Sequence, residues 1–172
     1  LGSSISMSGG TLDVEDSLAV SGALTQSGDI TVDVADNKTL TYSGTAISIG
    51  ANTLTLSGGG TLGNTNAIKL DNATSKLLLN SITLGSASTS SDSLGLDVNA
   101  DSTVTSLMVG HITPVSIAAS KSLTGAITVS AGSLKLNEAG TLASTIAMSG
   151  GTVDADETST VSGTLSHSAD IA

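Results

Sequence analysis

Apolar residues alternate with small polar ones in short bursts along the whole chain. The segments SISM at 4–7, DITV at 29–32, AISI at 46–49, AIKL at 67–70, SLGL at 93–96, PVSI at 114–117, AITV at 126–129 and TIAM at 145–148 each set two apolar side chains on one face of an extended backbone. A second set follows the same rule: TLDV at 11–14, TLTY at 39–42, TLTL at 53–56, KLLL at 76–79, TVTS at 103–106, SLTG at 122–125, SLKL at 133–136 and TVDA at 152–155. Alternation of period two over three to five residues, bounded by Ser, Gly, Asn and Asp, predicts short half-buried strands. A helix is the poorer reading, because Thr, Ser and Gly are weak helix formers and no segment sustains apolar residues at helical spacing.

The bursts recur at two lengths. The first set is spaced by 25, 17, 21, 26, 21, 12 and 19 residues, which carries SISM to TIAM over 141 positions. Sliding the chain by that distance lays residues 1–31 on 142–172 with 16 of the 31 pairs identical, among them MSGGTLD at 7–13 on MSGGTVD at 148–154. The last three residues, Asp170, Ile171 and Ala172, fall on Asp29, Ile30 and Thr31. Repeats of 20 to 50 residues signal solenoids or arrays. We therefore expect an all-β chain folded as one single-stranded β-solenoid over residues 1–172, with about 20 residues and two or three short strands per coil. Seven coils per long repeat would rise about 34 Å at the usual strand separation. The serine-rich stretch 85–93 is expected to protrude as a loop. The interior is assigned to the first-set residues Ile5, Ile30, Ile47, Ile68, Ile127 and Ile146 and the second-set residues Leu12, Leu40, Leu54, Leu77, Leu134 and Val153.

Composition narrows the function. Of 172 residues, 30 are Ser, 24 Thr and 20 Gly, while 38% are hydrophobic, so the core is aliphatic rather than aromatic. The single aromatic residue, Tyr42, stands where an aliphatic residue is expected and should be packed. Fifteen acids against five lysines, with no arginine, give a net charge of −10. That balance argues against nucleic acid, whose phosphates need basic patches. No apolar run approaches the roughly 20 residues of a spanning helix, so membrane insertion is not expected. Leu1 is not a start methionine and no secretion signal is present, so the chain is expected to be a piece of something longer.

The Gly-Thr-Leu-x-Val, Val-Ser-Gly-x-Leu and Thr-Leu-Thr-Leu-Ser-Gly-Gly-Gly-Thr-Leu phrases, which run the whole length, resemble the β-helical repeats of giant bacterial surface proteins: autotransporter passengers and filamentous-haemagglutinin-type adhesins. The resemblance implies secretion, display at the cell surface and an adhesive or scaffolding role, and it carries over no catalytic residue. We therefore expect a structural segment that makes a stiff extracellular stalk or filament by stacking coil on coil. Its partners would be neighbouring repeats or end-to-end copies of itself. One alternative is an adhesin-type module for a glycan, another cell or ice; a polysaccharide-processing β-helix enzyme comes third.

Candidate chemistry is sparse. Calcium favours several carboxylate oxygens, and the acids Asp13, Glu15 and Asp16, with their copies Asp154, Asp156 and Glu157, are the candidate ligands. Solvated turn acids are the simpler reading, so no cofactor is expected, with calcium the one candidate ion. Asp97, Asn99 and Asp101 open like a calcium loop, but Ser102 stands where its glycine should be. His111 and His167 are the only histidines, and His167 replaces Gln26 of the first copy, which suits an exposed polar position better than a general base. Nucleophile-elbow and phosphate-loop motifs are absent, so no catalytic residue is expected. The Thr-x-Thr pairs Thr39/Thr41, Thr53/Thr55 and Thr103/Thr105 suggest an ice-binding row, broken by charge at Asp13, Lys76 and Lys135. Two glycan acceptor triplets begin at Asn37 and Asn72.

Overall fold

Parallel strands cannot be joined by a tight hairpin, so a chain of short parallel strands must travel round before each returns beside its predecessor. This chain does so continuously. The computed structural model describes residues 1–137, 140–155 and 159–168. These form 21 strands and no helix. The chain is a β-solenoid of about eight coils, in which strands pair in parallel with the equivalent strands of the next coil, except that Leu24–Gln26 has no ladder to Ile47–Ser48.

Each coil visits three columns. The first column holds Gly10–Val14, Ile30–Val34, Thr53–Ser57, Lys76–Asn80, Gly95–Val98, Thr113–Ile117, Ser133–Asn137 and Thr152–Ala155. The second opens with Leu18–Val20, Thr39–Tyr42 and Thr61–Asn64, and the third with Ile5–Met7, Leu24–Gln26, Ile47–Ser48 and Ile68–Leu70. From coil four to coil seven a single long strand runs through both: Thr83–Thr89, Ser102–Val109, Ser122–Val129 and Thr141–Met148. Coil eight separates them again, as Thr160–Val161 and Leu165–His167.

Alternation turns one face of every strand inward, where like sits on like. In the first column Leu54, Leu77 and Leu96 form one inward ladder and Val32, Leu56, Leu79 and Val98 the next. All seven are at most 1% exposed. Apolar ladders of this kind bury branched side chains that already favour extended backbone. In coils two, three, four and six the bend from the first to the second column is closed by a residue in the left-handed region, respectively Asn37 (φ 60), Gly59 (φ 80), Ser81 (φ 59) and Ser120 (φ 63).

The corner between the second and third columns is built in two ways. In coils two and three polar side chains hold it. The Tyr42 hydroxyl donates to Thr45 O (2.8 Å), while Asn64 Nδ2 donates to Asn66 O (2.9 Å) and Ser86 O (2.7 Å) and its Oδ1 accepts from Ser86 N (3.1 Å). From coil four to coil seven the backbone passes straight through, with Gly125 and the fully buried Ser144 at the corner and a register shift between Val104 and Leu107.

Several sequence expectations are corrected by this arrangement. Ile5, Ile47, Ile68, Ile127 and Ile146 do share the third column, but Ile30, the SLGL burst and PVSI lie in the first. The third-column members that belong between them are Leu24, Ala87 and Leu107. The path from Ile5 through Leu24, Ile47, Ile68, Ala87, Leu107 and Ile127 to Ile146 then advances by 19, 23, 21, 19, 20, 20 and 19 residues. The irregular spacing came from mixing columns; the 141-residue total is the same. The stretch 85–93 is not a protruding loop, because residues 85–89 continue the strand Thr83–Thr89 with Ala87 and Thr89 inside. Of the assigned interior, Ile30, Leu40, Ile47, Leu54, Ile68, Leu77, Ile127, Leu134 and Ile146 are buried, whereas Ile5, Leu12 and Val153 are only partly buried against the core. Those three sit in the terminal coils, where one side of the ladder is open.

Candidate functional site

Stacking leaves two surfaces unlike the rest: the end coils. Strand edges there point backbone N–H and C=O groups outward, with apolar side chains beside them. At the N-terminal end Leu1 is 65% exposed and Ile5, Met7, Leu12 and Leu18 are partly covered. At the C-terminal end Val161 and Leu165 are 41% and 54% exposed. Val20 and Leu24, which occupy the corresponding positions in coil one, are 2% and 4% exposed because coil two lies on them. Leu94 and Ile112 make a smaller exposed apolar corner on the side of coils five and six.

The contact between coils one and two shows what covers such an end. Backbone ladders join Gly10–Val14 to Ile30–Val34 and Leu18–Val20 to Thr39–Tyr42. In the third column side chains take over. Leu24 N donates to the Tyr42 hydroxyl (2.9 Å), and Gln26 Nε2 donates to Ile49 O (3.1 Å). Gln26 therefore points inward on the ladder that holds Met7 and is half-buried, unlike the exposed position expected from its exchange with His167; its Oε1 is buried and unpaired. His167 lies on the same ladder, opposite Met148, and is exposed in coil eight. Tyr42 is 1% exposed, as its lone aromatic ring among aliphatics suggested. Replacing Tyr42 by phenylalanine keeps the ring and strands the Leu24 N–H, so stability should fall by about 1–3 kcal/mol. Urea denaturation followed by far-UV circular dichroism measures it, and a loss below about 0.5 kcal/mol would mean that this hydroxyl bridges nothing of consequence.

The remaining candidates lie apart. Asp13, Glu15 and Asp16 are exposed, Asp154 is partly covered, and Asp156 and Glu157 fall outside the described residues. Asp13 stacks directly on Asp33, whose Oδ2 accepts from Ser57 Oγ (2.5 Å), and Asp16 pairs with Lys38 (3.0 Å). Among the described residues no three His, Cys, Asp or Glu side chains gather as a metal site. Asp97 pairs with Lys76, and Asp101 accepts from Ser122 N (2.8 Å), so the calcium-loop-like triplet is spread over separate neighbours. His111 stands 3.8 Å from Asp92 on an exposed turn. Asn72 accepts from Thr74 N within its own turn, and Asn37 donates to Asp36.

The threonine rows also need correction. Thr53/Thr55 and the charged interruptions at Asp13, Lys76 and Lys135 belong to the first column, whereas Thr39/Thr41 and Thr103/Thr105 belong to the second. Sorted by ladder, Thr39, Thr61, Thr83, Thr103 and Thr124 form an unbroken row free of charge. An open depression of about 480 Å³ at the N-terminal end of the third column is lined by Ser6, Met7, Ser8, Thr25, Gln26 and Ser27, none of them titratable. No family model, no curated protein and no solved structure matches the chain.

Proposed function

We propose that this chain is a structural segment of an extracellular or cell-surface protein, a stiff stalk or filament lengthened coil by coil. Its partners are neighbouring repeats of the same protein or end-to-end copies of itself, and it carries no catalytic role. The supporting observation is the third-column edge of coil eight, which no other strand covers among the described residues and which repeats, 141 residues on, an edge that another coil covers within the chain. Stability in such a stack is a sum of coil terms and neighbour terms, so each added coil strengthens the one beneath it.

Eight coils at the usual strand separation rise to about 38 Å. Sedimentation velocity over a concentration series, with electron microscopy of the same samples, tests the reading. Thin rods that lengthen with concentration and show an axial spacing of about 4.8 Å are expected. Compact particles of one size at every concentration would overturn it.

A second reading, a binding module for a glycan, another cell or ice, is favoured by one observation only, the charge-free threonine row of the second column. Binding by the monomeric chain to a glycan array or an ice surface, lost on placing lysine at Thr61 and Thr83, is the result that would separate it from the stalk.

A further inference from the structure

We propose that the C-terminal end of the stack is shaped for a coil of one sequence, that of residues 29–50, and that the tyrosine of that coil is its recognition element. The proposal rests on the stacking reading and names the partner of that same surface.

The two ends of the long repeat are built alike down to single hydrogen bonds. Ile5 N donates to Ala23 O (2.7 Å) and Ile146 N to Thr164 O (2.8 Å); Ser27 N donates to Met7 O (2.9 Å) and Ser168 N to Met148 O (2.9 Å). In the second column Ser21 N donates to Leu1 O (2.9 Å) and Ser162 N to Leu142 O (3.1 Å). A Cβ on Gly22 would meet Ser3 O at 2.1 Å, and one on Gly163 would meet Ser144 O at 1.7 Å, so the same close backbone approach recurs. Ile5 pairs with Leu24 and Ile146 with Leu165 at one offset.

This shared phase fixes where the next donor points. Alternate residues of a parallel strand bond to opposite neighbours. Leu24 spends its N–H on the coil above, through the Tyr42 hydroxyl, and Leu165 presents its N–H to the same side. A backbone ladder does not meet it in the template, because Leu24–Gln26 and Ile47–Ser48 are joined by side chains rather than by registered pairing. A coil that repeats the template brings a hydroxyl to that N–H, as Tyr42 does to Leu24, and among the eight coils only coil two carries a tyrosine. In the template a carbonyl of the covering coil, Ile49 O, also serves the inward residue Gln26. Close approach is needed at the corner as well, since a Cβ on Gly44 would lie 2.3 Å from Gly22 O, and Gly163 keeps the smaller residue on the receiving side. Three differences weaken the apolar part of the contact: Val153 for Leu12, Ala155 for Val14 and Ser159 for Leu18. They leave the polar corner as the part that discriminates.

The test extends the full chain beyond Ala172 with the sequence of residues 32–50, so that the sequence match of residues 170–172 to 29–31 is continued. Three extensions are compared by amide hydrogen exchange: the matched one, one with its tyrosine replaced by phenylalanine, and one of scrambled order. The matched extension should slow exchange at Leu165 at least ten-fold and also slow residues 152–161. The phenylalanine version should keep the protection of residues 152–161 and lose it at Leu165. If the scrambled extension protects coil eight equally, or the phenylalanine version protects Leu165 fully, the recognition proposal falls and the stacking reading stands. If the matched extension protects no amide of coil eight, both fall.

Discussion

Leu79→Ala is expected to destabilise the protein by about 2–5 kcal/mol, while Leu165→Ala changes stability by no more than about 0.5 kcal/mol. Leu79 is fully buried between Leu56 of the coil below and Val98 of the coil above, whereas Leu165 is 54% exposed. The size of the first effect follows from the stack. Removing buried methyl groups costs least where neighbours can close the gap. Here the flanking strands are held about 4.8 Å apart by their own backbone ladders, so the cavity stays open. Urea denaturation of the two variants beside the parent chain measures both, and equal losses would contradict an interior made of independent inward ladders.

Gly95→Ala should cost at least about 3 kcal/mol, combining about 1–3 kcal/mol of backbone strain with a steric clash. Gly95 opens its strand at φ +82, and a Cβ there would sit 1.8 Å from the carbonyl oxygen of Pro114 in the next coil. That oxygen belongs to a ring-restrained residue in the ladder pairing Thr113–Ile117 to Ser133–Asn137, which resists displacement. Gly10→Ala separates the two contributions. Gly10 also opens a first-column strand at φ +84, but nothing lies within 4 Å of its added Cβ, so only the strain is felt. A loss at Gly95 no larger than that at Gly10 would mean that the coils give way there.

Much of the candidate site was legible in part. Tyr42 announced itself as the only aromatic, yet nothing in the residues near Leu24 says that a tyrosine eighteen positions on replaces a missing ladder bond. The long repeat pairs Gln26 with His167, and the exchange of one polar residue for another suggests an exposed position, which holds for His167 in coil eight. The ladder places Gln26 inside, opposite Met7, and the Ile49 carbonyl makes that tolerable. The acids of the first coil remained what their spacing suggested, exposed residues along an outer face and turn.

The sequence by itself determined that the chain is a β-solenoid, that its alternate aliphatics face inward, and that seven coils occupy 141 residues. Period-two alternation and self-similarity are local properties, and both survive any choice of how coils are phased. Only the tertiary structure decided which burst stands on which. Short alternating segments of the three columns look alike, since each needs only two inward aliphatics, and the length of the bends between them assigns the column. That assignment separated Ile30 from Ile47, brought Leu24, Ala87 and Leu107 between the isoleucines of the third column, and gathered five threonines into one row. It also divided the coils into those with a polar corner and those with a continuous strand, because Tyr42 and Asn64 act on backbone groups brought close only by the winding of the chain.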